Sequence, residues 1–261
     1  MSDTLPALFI SHGSPMLAIE DRPARGFLAG LGATIARPKA ILVLSAHWGT
    51  TAPVVSAAPQ PETIHDFGGF PDELYRLHYP APGAPVLAAR VADLLTAAGL
   101  PCALHPSRGL DHGAWIPLML MYPAADIPVA QLAIQPRLDP AHHARLGVAL
   151  RPLRDEGVLI LASGAMTHNL REVFMRDPRA ATPEWTTAFV DWFAAETAAD
   201  HRDALLEYRA RAPHAQRNHP TDEHLLPFHA ALGAGTPGIA GRRIHASYDH
   251  GVMAMDAYAF G

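Results

Sequence analysis

The sequence predicts an α/β fold, a single domain with a central mixed sheet flanked by helices. Three observations predict it. Short, mostly apolar runs at residues 5–10, 40–45, 127–134 and 158–162 read as strands buried on both faces. Segments with helical spacing lie between them, so strand and helix alternate. Histidines stand just past several strand ends, in Ser11-His12-Gly13-Ser14-Pro15, Ser45-Ala46-His47-Trp48 and Thr167-His168-Asn169-Leu170. Ligand sites in open α/β sheets lie beyond the carboxyl ends of the strands, so the pattern predicts a metal site at that edge.

Along the chain, residues 5–10 end at His-Gly-Ser-Pro, a turn signal that closes the first strand. A helix over 23–32 follows, with Phe27, Leu28 and Leu31 at helical spacing. Residues 40–45 repeat the strand pattern, and 53–57 form a third strand. The loop 64–71 is too rich in Gly and Pro for regular structure. The clearest helix runs over 83–99, where Val86, Leu87, Val91, Leu94, Leu95 and Ala98 make one apolar stripe stopped by Gly99-Leu100-Pro101. A brief strand over 102–104 carries Cys102, expected to be a buried small side chain. A buried helix over 114–122, a strand over 127–134, a helix over 140–156 and a strand over 158–162 come next. Helices are then expected over 184–198, with Trp185, Phe189, Trp192 and Phe193 inward, over 202–211 and over 221–232. A strand over 242–248 ends the series.

With 261 residues, 49% hydrophobic and 17% charged, the chain can bury a substantial core and shows no sign of disorder. A net charge of −5 with His neutral, and no dense Lys/Arg block, argue against a nucleic-acid partner. One cysteine permits neither an intramolecular disulfide nor a Cys-based metal site. Residues 1–3 are short and acidic, and the apolar run after them is too brief for a secretory signal. Nothing approaches the roughly 20 apolar residues needed to cross a bilayer. A cytoplasmic protein with no membrane partner is expected, and a homo-oligomer is left open. There is no repeat, no linker and no Gly-rich nucleotide motif, so one domain is expected over 1–261.

Sixteen histidines stand in the chain, and a few sit in contexts that suit chemistry. His12 and His47 are bracketed by small residues and could face each other across neighbouring strands, where neutral imidazole suits Fe(II) or Zn(II). His224, in Asp222-Glu223-His224-Leu225, is placed in the first turn of a helix capped by Thr221 or Asp222. Its alternative reading is a surface histidine balancing acidic neighbours. Glu223 is a rival ligand, but adjacent helical residues diverge by about 100°, so the two do not readily face one ion. His168, between Thr167 and Asn169 that could orient its ring, suits a general acid/base. His112 has Asp111 beside it, either to fix its tautomer or to cap the following helix. His65, in the loop 64–71, could line a substrate mouth. The other histidines read as surface or structural.

An ordered set of segments carries a resemblance. Leu8 to Met16, Pro38 to Trp48, Thr63 to Pro71, Tyr79-Pro80-Ala81-Pro82-Gly83, Gly109 to Trp115 and Ser163 to Leu170 together span most of the chain. With them the chain resembles the 4,5-DOPA-type extradiol ring-opening dioxygenases, within the class III extradiol (protocatechuate 4,5-dioxygenase β-subunit-like) superfamily. The resemblance implies that His12 and His47 bind the metal. It implies His224 as third ligand, where the wider superfamily has Glu. His168 corresponds to the catalytic histidine, close enough to the metal to serve as a fourth ligand, and His112 to a second histidine lining the pocket. Fe(II) is the implied cofactor, with Zn(II) able to occupy the same site.

The implied substrates are a small-molecule catechol and O2. L-DOPA stands first, giving 4,5-seco-DOPA that cyclises to betalamic acid; dopamine, caffeic acid and protocatechuate stay open. His168 would take a proton from the catechol and later return one, while His112 would hydrogen-bond the substrate. The substrate pocket would draw on Trp48, the loop with His65, and residues 247–255. Two other readings belong to different classes. One is a Memo-like non-enzymatic binding protein; the other is a zinc hydrolase using Glu223 or Asp66 as base.

Overall fold

The computed structural model of the chain describes residues 4–177 and 180–261; residues 1–3, the short acidic start noted above, lie outside the described residues. The strands are β1 Ala7–Ser11, β2 Ala40–Gly49, β3 Val54–Ser56, β4 Ala103–His105, β5 Val129–Ile134, β6 Val158–Gly164, β7 Arg242–His245, β8 Tyr248–Asp249, β9 Met253–Ala254 and β10 Ala257–Phe260. Eight of them form one mixed sheet in the order β4-β3-β5-β2-β6-β1-β10-β7, and β8 pairs with β9 in a separate hairpin. The middle of the sheet, β5-β2-β6-β1, is parallel. β10 and β7 extend it antiparallel on one side, and β3 meets β5 antiparallel on the other.

The helices are α1 Pro23–Thr34, α2 Asp72–Tyr75, α3 Pro85–Ala97, α4 His112–Met121, α5 Pro140–Leu150, α6 Pro152–Asp155, α7 Leu170–Met175, α8 Glu184–Ala198, α9 Arg202–Leu206, α10 Tyr208–Arg211, α11 Ala215–Asn218 and α12 Leu226–Ala234. Several begin with Pro in the first turn, where a missing N–H costs nothing, and the Asp139 side chain caps α5 by accepting from the His142 amide.

Because side chains alternate across a strand, the sheet divides the core in two. Phe9, Leu42, Leu44, Ile160 and Tyr258 face α3, α5, α8 and α12. Leu8, Ile10, Ile41, Val43 and Leu161 face α1 and α4 on the opposite side. α12 is buried on every side, and α4 nearly so, as expected of helices that are apolar all round.

Some expectations are corrected. β1 and β2 are not neighbours, because β6 lies between them; His12 and His47 therefore straddle the end of β6. The expected helix 140–156 breaks at Pro152, which lacks the N–H a continuous helix needs. The expected helix 202–211 divides into α9 and α10. The helix expected over 221–232 starts only at Leu226, so His224 stands in the turn before it. Val86 sits exposed in the first turn of α3, outside the apolar stripe. Cys102 is half-buried rather than buried, since β4 is the sheet's edge. The last expected strand ends at His245; residues 248–249 belong to the hairpin, and β10 was not anticipated.

Candidate metal centre

His12 follows β1 directly, its amide donating to the carbonyl of Gly164 at the end of β6 (2.9 Å). His47 lies in a bulge near the end of β2, two residues short of its last residue rather than past the strand as expected. One step on β5, from Ala133 to Ile134, answers four on β2, from Ser45 to Gly49, so Ala46, His47 and Trp48 are free of the ladder. Such a bulge re-aims a side chain at the rim of a sheet. His224 reaches the same point from the turn before α12, its carbonyl accepting from the Ala165 amide (2.9 Å). That approach needs Gly164: a Cβ there would stand 2.0 Å from the His224 carbonyl oxygen.

The three imidazoles converge through their Nε2 atoms, 2.9 Å between His12 and His47 and 3.3 Å between His47 and His224. Metal–nitrogen bonds of about 2.0–2.1 Å at tetrahedral angles require ligand nitrogens about 3.3 Å apart. The donor set therefore fits a divalent ion such as Fe(II) or Zn(II). Tautomers agree with that fit. The Ser163 hydroxyl donates to the Gly113 carbonyl, so its oxygen accepts from His12 Nδ1 (2.9 Å) and leaves Nε2 with a lone pair. Glu223 Oε1 accepts from His224 Nδ1 (3.0 Å), with the same result.

Burial makes these imidazoles hard to protonate. It pushes His12 and His224 well below the usual histidine value, reinforced by the surrounding histidines. His47 is pushed down to about 3 by burial and by His112, against the pull of Asp66. At neutral pH all three are in the form a metal requires.

His168 stands outside the group formed by His12, His47 and His224, and its ligand atoms gather instead with those of Glu223 and His224. Its ring lies against His224, centroids 3.4 Å apart and planes 13° from parallel, and its Nδ1 is 3.9 Å from Glu223. Burial lowers its pKa, with Glu223 opposing. Thr167 and Asn169 do not orient the ring as expected: the Thr167 hydroxyl binds the Val252 carbonyl and Ala254 amide, and Asn169 caps α7. His112 packs on His47 at 4.0 Å between centroids. Its carboxylate neighbour is Asp66 rather than Asp111: Asp66 Oδ1 accepts the His112 amide (2.9 Å) and Oδ2 lies 3.0 Å from Nδ1. Burial would raise the Asp66 carboxyl, but His112 and then His47 bring it down to about 2.

Asp111 instead lies buried, accepting from Ser45 Oγ (2.6 Å), Gln131 Nε2 and Arg108 Nη2 (3.1 Å); its side chain does not cap α4. Trp48 is buried, its ring near His105 and under the Arg108 guanidinium. His65 Nε2 reaches the Leu77 carbonyl (3.0 Å), and its ring meets Phe67, Tyr75, His78 and Trp115. Phe67 in turn packs edge-on to His112, so the loop holds an aromatic wall beside the centre. Ser163 is the residue that sequence reasoning missed; its signal was its place at a strand end, the same one that marked His12.

Residues 6–260 match the family described as the catalytic LigB subunit of aromatic ring-opening dioxygenase. The chain belongs to that family. It is 45% identical to the 4,5-DOPA dioxygenase extradiol of Beta vulgaris, over 97% of this chain and 95% of that protein. It is 44% identical to that of Escherichia coli K12, over 90% of this chain and 87% of the relative. A crystal structure of an uncharacterized protein from Escherichia coli K12 superposes with a TM-score of 0.84 at 36% identity, covering 98% of this chain and all of that one. The chain is thus an extradiol ring-cleavage dioxygenase, metal-dependent, acting on a small aromatic molecule with O2. The readings as a non-enzymatic binding protein or a zinc hydrolase fall with that assignment. No helix among the described residues is long and apolar enough to cross a membrane.

Proposed function

We propose that the whole chain is one catalytic domain that opens the ring of L-DOPA to 4,5-seco-DOPA, with Fe(II) held by His12, His47 and His224. The observation that carries this reading is the convergence of three Nε2 atoms beside two further imidazoles that each face a carboxylate. The substrate choice rests on relatives from Beta vulgaris, Portulaca grandiflora and Escherichia coli, which are 4,5-DOPA dioxygenases at 43–45% identity. Zn(II) would sit in the same all-nitrogen set.

When bound, the Fe(II) ion supplies positive charge that acidifies a catechol and a route for electrons from ring to O2. His168 is the proton carrier. Burial keeps it neutral at rest, so it can take the catechol proton and return it as the O–O bond breaks. Two rings stacked in parallel cannot both aim in-plane lone pairs at one ion, which favours acid–base work over a fourth ligand role for His168. His112, whose Nδ1 lies 3.0 Å from Asp66 Oδ2, would offer Nε2 to the substrate. The aromatic wall with His65, and Trp48 behind the His47 bulge, would shape the room for the substrate's side chain.

The test is anaerobic reconstitution with Fe(II), then oxygen uptake and absorbance with L-DOPA against dopamine, caffeic acid and protocatechuate. Uptake with a yellow product, fastest with L-DOPA, is expected. A faster rate with another catechol replaces the substrate, and no uptake by the iron-loaded protein overturns the reading.

A further inference from the structure

We infer that two carboxylates divide the positioning of the imidazoles around the centre, Glu223 serving the ligand His224 and Asp66 serving His112. The inference rests on His12, His47 and His224 being the ligands. Each carboxylate reaches one ligand and one non-ligand imidazole, but in opposite order. Glu223 Oε1 is 3.0 Å from His224 Nδ1 and 3.9 Å from His168 Nδ1. Asp66 Oδ2 is 3.0 Å from His112 Nδ1 and 3.6 Å from His47 Nδ1, while its Oδ1 accepts the His112 amide.

Both carboxylates are held in place. The Thr221 hydroxyl donates to Glu223 Oε1 (3.1 Å), and the His112 amide fixes Asp66. An imidazole donating Nδ1–H to a carboxylate is locked with Nε2 free and becomes a more basic ligand. His12 obtains its tautomer from a neutral hydroxyl, Ser163. His224 is thus the ligand with a carboxylate within hydrogen-bond range, and Glu223 returns beside the centre the negative charge that three neutral imidazoles do not donate. Glu223, a rival ligand by sequence, is a positioning residue in this arrangement. Its contact is with His224 Nδ1, while the convergence with His47 is made by His224 Nε2.

The test measures metal affinity rather than turnover. Metal-free wild type, Glu223→Gln and Asp66→Asn are titrated with Zn(II) and Co(II) against a competing chelator. Glu223→Gln is expected to lose about 10–100-fold in affinity and to change the visible Co(II) bands, while Asp66→Asn loses less than about threefold. Thermal unfolding of each metal-free variant checks folding. Should Glu223→Gln fail to fold, Glu223→Asp keeps the charge with a shorter reach and should still weaken binding more than Asp66→Asn. Equal losses, or a larger loss in Asp66→Asn, overturn the division. Wild type that binds no metal overturns it together with the ligand assignment. The expected ranking in a protein that opens no catechol ring supports it and defeats the substrate reading alone.

Discussion

His168 lies flat on His224, 3.4 Å between ring centroids, with Glu223 beside the Nδ1 atoms of both. The two rings share a partner but not a target, since lone pairs that lie in two near-parallel ring planes do not meet at one point. The consequence is a division of labour that mutation separates. His168→Ala should keep its metal and lose turnover by about 10²–10⁴-fold, the usual worth of a positioned acid/base. His12→Ala should lose both, because it removes one of the converging Nε2 atoms. Metal content by elemental analysis, measured beside oxygen uptake, decides; equal metal loss in both variants would make His168 a ligand.

Acid should destabilise the metal-free protein before its pH reaches the ordinary carboxylate range. His143, His219 and His229 are each pushed down to about 4, mainly by burial. The unfolded chain binds these protons near pH 6.5 and the fold does not. Their contribution is full above about pH 6.5 and is lost as pH falls toward 4, at about 1.4 kcal/mol per pH unit for each group. Asp256 acts in the opposite sense: burial pushes its carboxyl up to about 7 despite Arg243, so it costs stability as pH rises through the same window. Three groups outweigh one. The urea midpoint should therefore be lower at pH 5 than at pH 7, and an unchanged or higher midpoint at pH 5 would contradict this balance.

Much of this centre was legible because it is local. His12, His47 and His168 follow apolar runs that end abruptly, and the sheet fixes where those ends lie. The partners of these residues were not legible, because they come from far along the chain. Asp66 meets His112 across 46 residues, and Ser163 meets His12 across 151. The interposed β6 was equally hidden, since strand order is set by long crossovers that leave no local mark. β10 escaped notice because Asp256 interrupts its apolar segment, although that carboxyl is buried against Arg243.

The buried Asp111 network bears on stability. Ser45, Gln131 and Arg108 all converge on one carboxylate, and Ser45 Oγ also accepts the His47 amide (3.2 Å). Asp111→Ala leaves three donors without their acceptor and should lose about 3–5 kcal/mol, as when one partner of a buried ion pair is removed. Asp111→Asn, which keeps an acceptor oxygen, should recover part of that. Urea denaturation of both measures it, and a loss under about 1 kcal/mol in Asp111→Ala would mean that water replaces the carboxylate without penalty.

Gly113 separates the stability of α4 from the integrity of the centre. Alanine is a better helix former than glycine by about 1 kcal/mol, and on propensity alone Gly113→Ala should stabilise the helix. The space forbids it. A Cβ at 113 would stand 2.5 Å from Ser45 Oγ, 3.0 Å from His47 Cδ2 and 3.2 Å from His12 Cε1. The neighbours that must give way are the His47 and His12 rings and the Ser45 hydroxyl that accepts the His47 amide. Overpacking of this kind costs about 1–3 kcal/mol, more than propensity returns, and the strain falls on the ring geometry. The variant should fold with a slightly lower melting temperature and bind Zn(II) at least about tenfold more weakly, the loss expected when ligand rings are displaced. Unchanged Zn(II) affinity in a chelator competition would show that α4 can draw back from the sheet without disturbing His12 and His47.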